Sequence, residues 1–268
     1  METGQPSRTA YAAARHRAAH QVHEGGSIFD DPLAGRILGA TAEALQADAS
    51  RRGMRLFIAA RTRVAEDALA AAVEAGRVQQ LVVLGAGLDT YAYRSPFPQL
   101  RIVEVDHPDT QAWKRDRLAQ AGIGIPATVS YLGVDFETES LADRLRLTGP
   151  AFFFWLGVVP YLTRQGFDET LAFVAAGAGN EVVFDYAQSP ERMPPERRAA
   201  LLHRAERVAR IGEPWLTYLE PQEIAEELSG LGFTETVDLG PAALAARFFD
   251  RHDVPADTPG GHVLHARR

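Results

Sequence analysis

The chain of 268 residues contains no cysteine. That excludes disulfides, thiolate metal sites and a cysteine nucleophile. It lacks positive charge in excess: the formal net charge is −7, so the electrostatic footprint of a nucleic-acid binder is missing. It also lacks any long uncharged apolar run. The longest apolar stretch, AFFFWLGVVPYL at 151–162, suits a buried strand and its exit loop and is too short to span a bilayer. The opening METGQPSRTAYAAARHRAAHQ carries charge throughout and has no apolar core segment, which argues against a secretory signal. A cytoplasmic protein that engages neither membrane nor nucleic acid is expected, and nothing in the sequence sets its oligomeric state.

What remains is ordinary globular composition, 46% hydrophobic and 24% charged, enough for one large α/β domain. Roughly the first eighty residues read as helical. A helix is expected from Thr9 to about Val22. Asp31 is expected as an N-cap with Pro32 at the first helical position, and a helix from Arg52 to Ala75 should stop at Gly76. The pattern then alternates. QLVVLG (80–85), LRIVEVD (100–106), ATVSYLGVDF (127–136), PAFFFWLG (150–157), NEVVFDYA (180–187), TETVDL (234–239) and GHVLHARR (261–268) read as strands. Helices are expected over 107–122, from near Thr138, over Arg164 to Ala176, within 189–210 and over 221–233. Such alternation predicts a parallel sheet covered on both faces. The expected organisation is a single domain over 1–268, with a helical cap (1–78) on an α/β core (79–268).

The strongest chemical signal is LVVLGAGLDT at 81–90. Glycines directly after a buried strand let the backbone approach a nucleotide ligand closely. The third glycine of a dinucleotide fingerprint is replaced by Thr90, and Asp89 would repel a diphosphate. A nucleoside carrying an ammonium and a sulfonium tolerates that acid. The second strand ends in Glu104 and Asp106, about twenty residues after Gly85, where a carboxylate can accept from both ribose hydroxyls. The alternative for Asp106 is a cap on the following helix. Asp135, in the VDFE that follows the third strand, could accept from an adenine amino group with Phe136 packed nearby, or again be a helix cap.

Taken in order, SRTAYAAARHRAAH, IFDDPLA, AARTR (59–63), LGAGLDTYAYR, EVDHP, VDFE and WLGVVPYLT resemble the leucine carboxyl methyltransferase family, including its bacterial branch of S-adenosylmethionine-dependent methyltransferases. The resemblance runs from about residue 7 to 165 and continues loosely through FDYA and LGF. It implies a doubly wound, Rossmann-like class I methyltransferase sheet of seven strands, the last antiparallel, and S-adenosyl-L-methionine as cofactor. It implies that Gly85 and Gly87 line the amino-acid part of the cofactor, Asp106 holds the ribose, and Asp135 and Phe136 sit at the adenine. Arg61 resembles the family arginine that pairs with the cofactor carboxylate. Arg17, with Arg15 as the alternative, resembles the basic residue of the first helix that closes over it. Tyr161 matches the tyrosine beside the methyl acceptor. One departure stands out: many relatives have glutamate where this chain has Leu156. Trp155 is expected to supply an aromatic wall instead.

Transfer of a methyl group from a sulfonium needs alignment and desolvation rather than a metal or a covalent nucleophile. A carboxylate acceptor is ionised at neutral pH and needs no base, only an arginine or tyrosine to orient it. A phenol acceptor would gain from a histidine base. His16, His20 and His23 fall near one helical face. Solvated surface is the commonest account of such a trio and a metal site the weakest; His20 or His16 is the candidate base. Trp215 and Tyr218 could line an acceptor pocket or simply pack, and ERRAALLHRAERVAR reads as a solvated basic face. The expected function is O-methylation of a small-molecule acceptor, a carboxylate first, in secondary metabolism. The alternatives are a phenol or hydroxyl acceptor, or a non-catalytic nucleotide-binding protein. A nicotinamide oxidoreductase is disfavoured by the missing third glycine and by the lack of a Ser/Tyr/Lys cluster.

Overall fold

The computed structural model describes residues 7–47, 52–136, 138–210 and 212–268. Seven strands form one sheet in the order β3-β2-β1-β4-β5-β7-β6: β1 (Gln80–Leu84), β2 (Arg101–Asp106), β3 (Val129–Gly133), β4 (Phe152–Trp155), β5 (Glu181–Ala187), β6 (Glu235–Leu239) and β7 (Gly261–Arg267). β1 to β5 run parallel, and β7 is antiparallel to both β5 and β6. This is the expected doubly wound sheet. The strand order reverses beside β1, with β2 on one side and β4 on the other, and the carboxyl ends of strands at such a reversal are where open α/β sheets bind ligands.

Strand residues alternate between two cores. Val82, Leu84, Phe153, Trp155, Val182 and Phe184 join one buried cluster with Phe167, Leu171 and Val174 of α7 (Arg164–Ala176) and Ile224 and Leu228 of α9 (Pro221–Gly230). Leu81, Val83, Phe152, Phe154 and Val183 join the other with Ala65 and Leu69 of α4 (Arg52–Glu74) and Leu244 of α10 (Pro241–Phe249). Burial on both faces explains why these strands are continuously apolar in sequence. Phe152, Phe153 and Phe154 are all buried, each contributing about 1.5–3 kcal/mol of hydrophobic stabilisation.

The N-terminal helices do two jobs. α4 is a layer of the sheet itself. α1 (Arg8–His23), α2 (Ala34–Leu38) and α3 (Ala42–Gln46) form a third cluster against α5 (Pro108–Gln120), through Ala14, Ala18, Ile37, Leu45 and Leu118. Gly76 ends α4 with φ +68°, as expected. Asp31 does not cap α2 as expected. It sits one turn earlier, where its carboxylate accepts from Leu33 N at 3.1 Å and its carbonyl from Ala34 N, and the helix begins only at Ala34. The helix expected near Thr138 is α6 (Leu141–Arg144), with Ser140 at its N-cap position but no capping bond from its side chain. The helix within 189–210 is α8 (Pro195–Ala209), preceded by a short 3₁₀ turn. α3 and α10 are short helices that periodicity does not reveal.

Candidate active site

Gly85 and Gly87 follow β1 with φ +62° and +46°, a region unfavourable to any residue with a Cβ. Close approach excludes side chains as well. A Cβ on Gly85 would strike Val158 Cγ2, and one on Gly87 would lie 2.9 Å from the Ala10 Cβ of α1. The turn is thus pressed between α1 and the loop after β4.

Asp106, at the end of β2, holds this turn. Its Oδ2 accepts from Gly87 N–H and its Oδ1 from His107 N–H at 2.7 Å. Burial pushes the Asp106 carboxyl above the usual range, and these two N–H groups oppose the shift. The helix-cap alternative fails: the N-cap of α5 is His107, whose Nδ1 accepts from Asp109 N. Glu104 is spent in the interior, accepting from Lys114 Nζ at 2.7 Å and from the Tyr93 hydroxyl at 2.8 Å. Thr90, in the place of a third glycine, donates to Asp31 Oδ2 at 2.7 Å and accepts from Arg94 Nε at 3.1 Å. The fingerprint is incomplete because that position ties the turn to a buried ion-pair network, Arg94 also pairing with Glu66.

Two buried arginines border the turn. The Arg17 guanidinium donates to the carbonyl of Leu88, and its Nε lies 3.5 Å from Asp31 without a hydrogen bond. Arg61, from α4, donates through Nη1 to Asp185 Oδ2 at 2.7 Å, while its Nε is buried without a hydrogen-bond partner. Asp185 Oδ1 accepts from Gly157 N–H at 2.5 Å. Gly157 has φ +73°, and a Cβ there would sit 2.8 Å from the Arg61 guanidinium. Arg61, Asp185 and Gly157 therefore lock the loop whose next residue, Val158, covers Gly85. Leu156 packs against the α4-side core, and the carboxylate that faces Arg61 comes from β5.

The other expected site residues fall into two groups. Tyr161, in the 3₁₀ turn Val159–Tyr161, is half-buried. Burial raises its phenol pKa, opposed by the nearby Trp215 and Thr9 side chains. Trp215 Nε1 is buried beside it without closing a hydrogen bond of normal geometry, and the Trp215 ring meets Tyr218 edge-on at 6.4 Å. Asp135 is half-buried after β3. Its carbonyl accepts from Thr138 N and Glu139 N, and it caps no helix because α6 begins at Leu141. Phe136 packs on the edge of the α7-side core. Glu137 of the VDFE segment lies outside the described residues.

Two expectations are corrected. Trp155 is no cofactor wall: its ring is fully buried, stacked on Phe167 at 5.2 Å, because strand alternation turns it into the core. His20 is neither a free base over the site nor solvated surface. It is fully buried, its Nε2 accepts from Ile28 N at 3.4 Å, and its Nδ1 meets Glu24 Oε2 at 3.2 Å. With both nitrogens engaged it ties α1 to the loop after it. His23 reaches the carbonyl of Leu45 instead, so the three histidines do not converge.

Asp185 and Glu213 were not expected. Asp185 is an acid between apolar neighbours in VVFDYA, a signal visible in the sequence. Glu213 accepts from Ser7 Oγ, Arg8 N and Thr9 N at 3.2, 2.8 and 3.0 Å. It pins the start of α1 over the site, and nothing in sequence marks a contact across that distance.

Comparison with known proteins completes the picture. A model of the leucine carboxyl methyltransferase family matches residues 10–175. The chain is 32% identical over 197 residues to the "putative S-adenosyl-L-methionine-dependent methyltransferase YktD" of Bacillus subtilis strain 168, covering 70% of this chain and 65% of that one. It is 34% identical over 209 residues to a protein of the same description from Parafrankia sp. strain EAN1pec, covering 71% and 66%. The aligned chain thus spans just under two thirds of the length of these relatives. Among solved structures, a methyltransferase-like protein of Thermobifida fusca superposes with TM-score 0.58 at 19% identity, covering 100% of this chain and 96% of that one. The magnesium protoporphyrin IX methyltransferase of Synechocystis, solved with bound S-adenosylhomocysteine, gives 0.52 at 11% identity, covering 95% and 99%. At such identities these structures share the fold. With its family match running from α1 through α7, the chain belongs to the leucine carboxyl methyltransferase family.

Proposed function

We propose that the protein is an S-adenosyl-L-methionine-dependent O-methyltransferase, and that its acceptor is the carboxylate of a small molecule. The observation that carries the cofactor reading is the pair of buried Nε–H groups, on Arg17 and Arg61, left without hydrogen bonds at the glycine turn. Buried polar groups are rarely left so, and an amino-acid carboxylate would satisfy them. Gly85 and Gly87 bring the turn's backbone to the carboxyl end of β1, packed under Val158 and Ala10, and Asp106 offers a carboxylate to a ribose diol. This donor set suits a nucleoside with an amino-acid tail. Asp135 and Phe136, after β3, would take the adenine.

When bound, the cofactor supplies a methyl group already activated on sulfur. The protein's residues do the rest. Arg17 and Arg61 neutralise and orient, Asp106 fixes the turn, and α1, held down by Glu213, excludes water. Tyr161, kept neutral by burial, donates its hydroxyl to the acceptor. Held by Arg17, Arg61 and Asp106, the cofactor would supply its methyl group to one acceptor carboxylate oxygen and would leave as the neutral thioether, the electron pair of the carbon–sulfur bond remaining on sulfur. No proton moves, which accords with a site whose candidate base, His20, is committed elsewhere. The setting proposed is cytoplasmic secondary metabolism; among the described residues no helix is long and apolar enough to cross a membrane.

The test is in two steps. Calorimetry with S-adenosylhomocysteine should show saturable one-to-one binding, and folded protein that binds none would overturn the cofactor reading. Labelled methyl donor offered with matched acids, phenols and alcohols should label the acids. Label on phenols or alcohols alone would overturn the carboxylate.

A further inference from the structure

The basic helix α8 is not uniformly solvated. Arg197, Arg198 and Arg207 are exposed, whereas Arg204 is half-buried. The reason lies in the chain that follows. Glu213 grips the start of α1. The backbone N–H groups of Leu216 and Thr217 both donate to the carbonyl of Pro160, at 2.7 and 3.3 Å, and Thr217 Oγ1 donates to the carbonyl of Leu162 at 2.6 Å. These bonds stitch the segment after α8 onto the 3₁₀ turn that carries Tyr161. The segment held in this way directly follows α8, whose half-buried Arg204 lies within electrostatic reach of the Tyr161 phenol.

Arg204 lacks what the other sunken arginines of this region have. Arg17 faces Asp31, Arg55 faces Glu24, Arg61 faces Asp185 and Arg94 faces Glu66. Among the described residues no carboxylate pairs with Arg204; burial lowers its pKa and only Tyr161 acts on it. A guanidinium stays charged at any physiological pH, and a partly desolvated cation without a counter-charge is costly. Glu213, the acid near Tyr161, has its oxygens occupied by Ser7, Arg8 and Thr9. Apart from the Thr9 hydroxyl and the committed Glu213 carboxylate, the polar groups at the phenol are donors: the Tyr161 hydroxyl, the buried Trp215 Nε1–H and the Arg204 guanidinium, with the Trp215 and Tyr218 rings alongside.

We propose that Arg204, Tyr161 and Trp215 form the subsite that binds the acceptor's carboxylate, with Arg204 as its charge partner and the two aromatic rings favouring a flat apolar body on that acid. This deepens the function proposed above and rests on it. The chemistry is that of a charge-assisted hydrogen bond, specific for an anion over its neutral isostere.

The experiment uses the whole chain and reads two quantities by calorimetry, the second on protein saturated with S-adenosylhomocysteine. The first is affinity for S-adenosylhomocysteine itself, in wild type, Arg204→Ala and Arg204→Lys. It should agree within error, which also certifies the fold of each variant. The second is affinity for benzoate and phenylacetate against benzamide and phenylacetamide. Wild type should prefer the acids, and Arg204→Ala should lose about ten- to a hundredfold in acid affinity with amide affinity unmoved, Arg204→Lys falling between. The proposal is overturned if acids and amides bind alike, if Arg204→Ala binds acids as wild type does, or if neither acid binds at high millimolar concentration to protein that still binds S-adenosylhomocysteine. Wild type that binds no S-adenosylhomocysteine would instead sink the underlying function.

Discussion

Two stretches of the chain meet at the glycine turn, and they are unlike. Residues 10–175, the part that matches the family model, supply the turn, Asp106, Arg17, Arg61 and Tyr161. Residues 176–268 supply Asp185, Arg204, Glu213 and Trp215. The first stretch sets its glycines and acids at fixed places relative to strand ends, and on the function proposed above it would form the cofactor, or donor, side. The second is a helix and a loop held by a few long-range bonds; on that proposal its Arg204 and Trp215 would face the acceptor, while its Asp185 braces the donor side through Arg61.

Breaking the seam should have the largest effect. Asp185 belongs to the second stretch and pairs with Arg61 of the first, both side chains at most 10% exposed. Asp185→Ala leaves a buried guanidinium and the Gly157 N–H without their acceptor. A loss of about 3–5 kcal/mol in unfolding free energy is expected, measured by denaturant titration, with weakened S-adenosylhomocysteine binding alongside. A loss below about 1 kcal/mol would mean that the two stretches are not coupled there.

Within the first stretch, Asp106→Ala should weaken S-adenosylhomocysteine by about 1.5–3 kcal/mol, because a charged acceptor is lost and the turn loses its anchor. Burial raises this carboxyl, so wild-type affinity should begin to fall at a higher pH on acidification than an exposed aspartate would impose. Asp106→Asn should flatten that response. Calorimetry across a pH series decides it; an unchanged affinity in Asp106→Ala would move the ribose role to another residue.

Tyr161 lies on the border, a residue of the first stretch whose phenol feels Trp215 and Glu213 of the second as well as Thr9 and Arg61. Tyr161→Phe removes a neutral donor, worth about 0.5–1.5 kcal/mol. Turnover should fall by about two- to tenfold while S-adenosylhomocysteine affinity stays put. Loss of both together would assign Tyr161 to the donor side, and loss of neither would make it a packing residue.

The same division governs what the sequence discloses. All seven strands, α1, α4 and α7 are legible because buried parallel strands and alanine-rich or amphipathic helices have strong periods. The glycine turn and Asp106 are legible because their spacing follows from strand geometry. The orientations of Trp155 and His20 are not legible, because an aromatic or a histidine at a plausible position does not reveal which way it points. Burial turned one into the core and the other into a helix tie. Glu213 and Arg204 were beyond reach: their roles depend on contacts across some two hundred and some forty residues, between α1 or Tyr161 and the segment around α8, which no local pattern encodes.

The smallest effect concerns the two ends of α1, which the two stretches hold separately. Glu213 ties its start, and His20, Glu24 and Arg55 tie its end, Arg55 meeting Glu24 at 2.7 Å. The end tie titrates. Burial lowers the His20 pKa below 6.5, only partly offset by Glu24. For Glu24, burial pushes the pKa up, but Arg55 and His20 more than reverse this, leaving it below 4.5. A lowered folded pKa means that the unfolded chain binds the proton more readily. The His20 contribution is therefore fully present above its unfolded value and is lost as pH falls through the folded one; the Glu24 contribution behaves likewise at lower pH. Thermal stability of wild type should decline as pH falls from about 7 to about 5, and His20→Gln, less stable at the start, should show a shallower decline over the same window. Parallel slopes for the two proteins would place the acid sensitivity elsewhere and leave α1 held by its start alone.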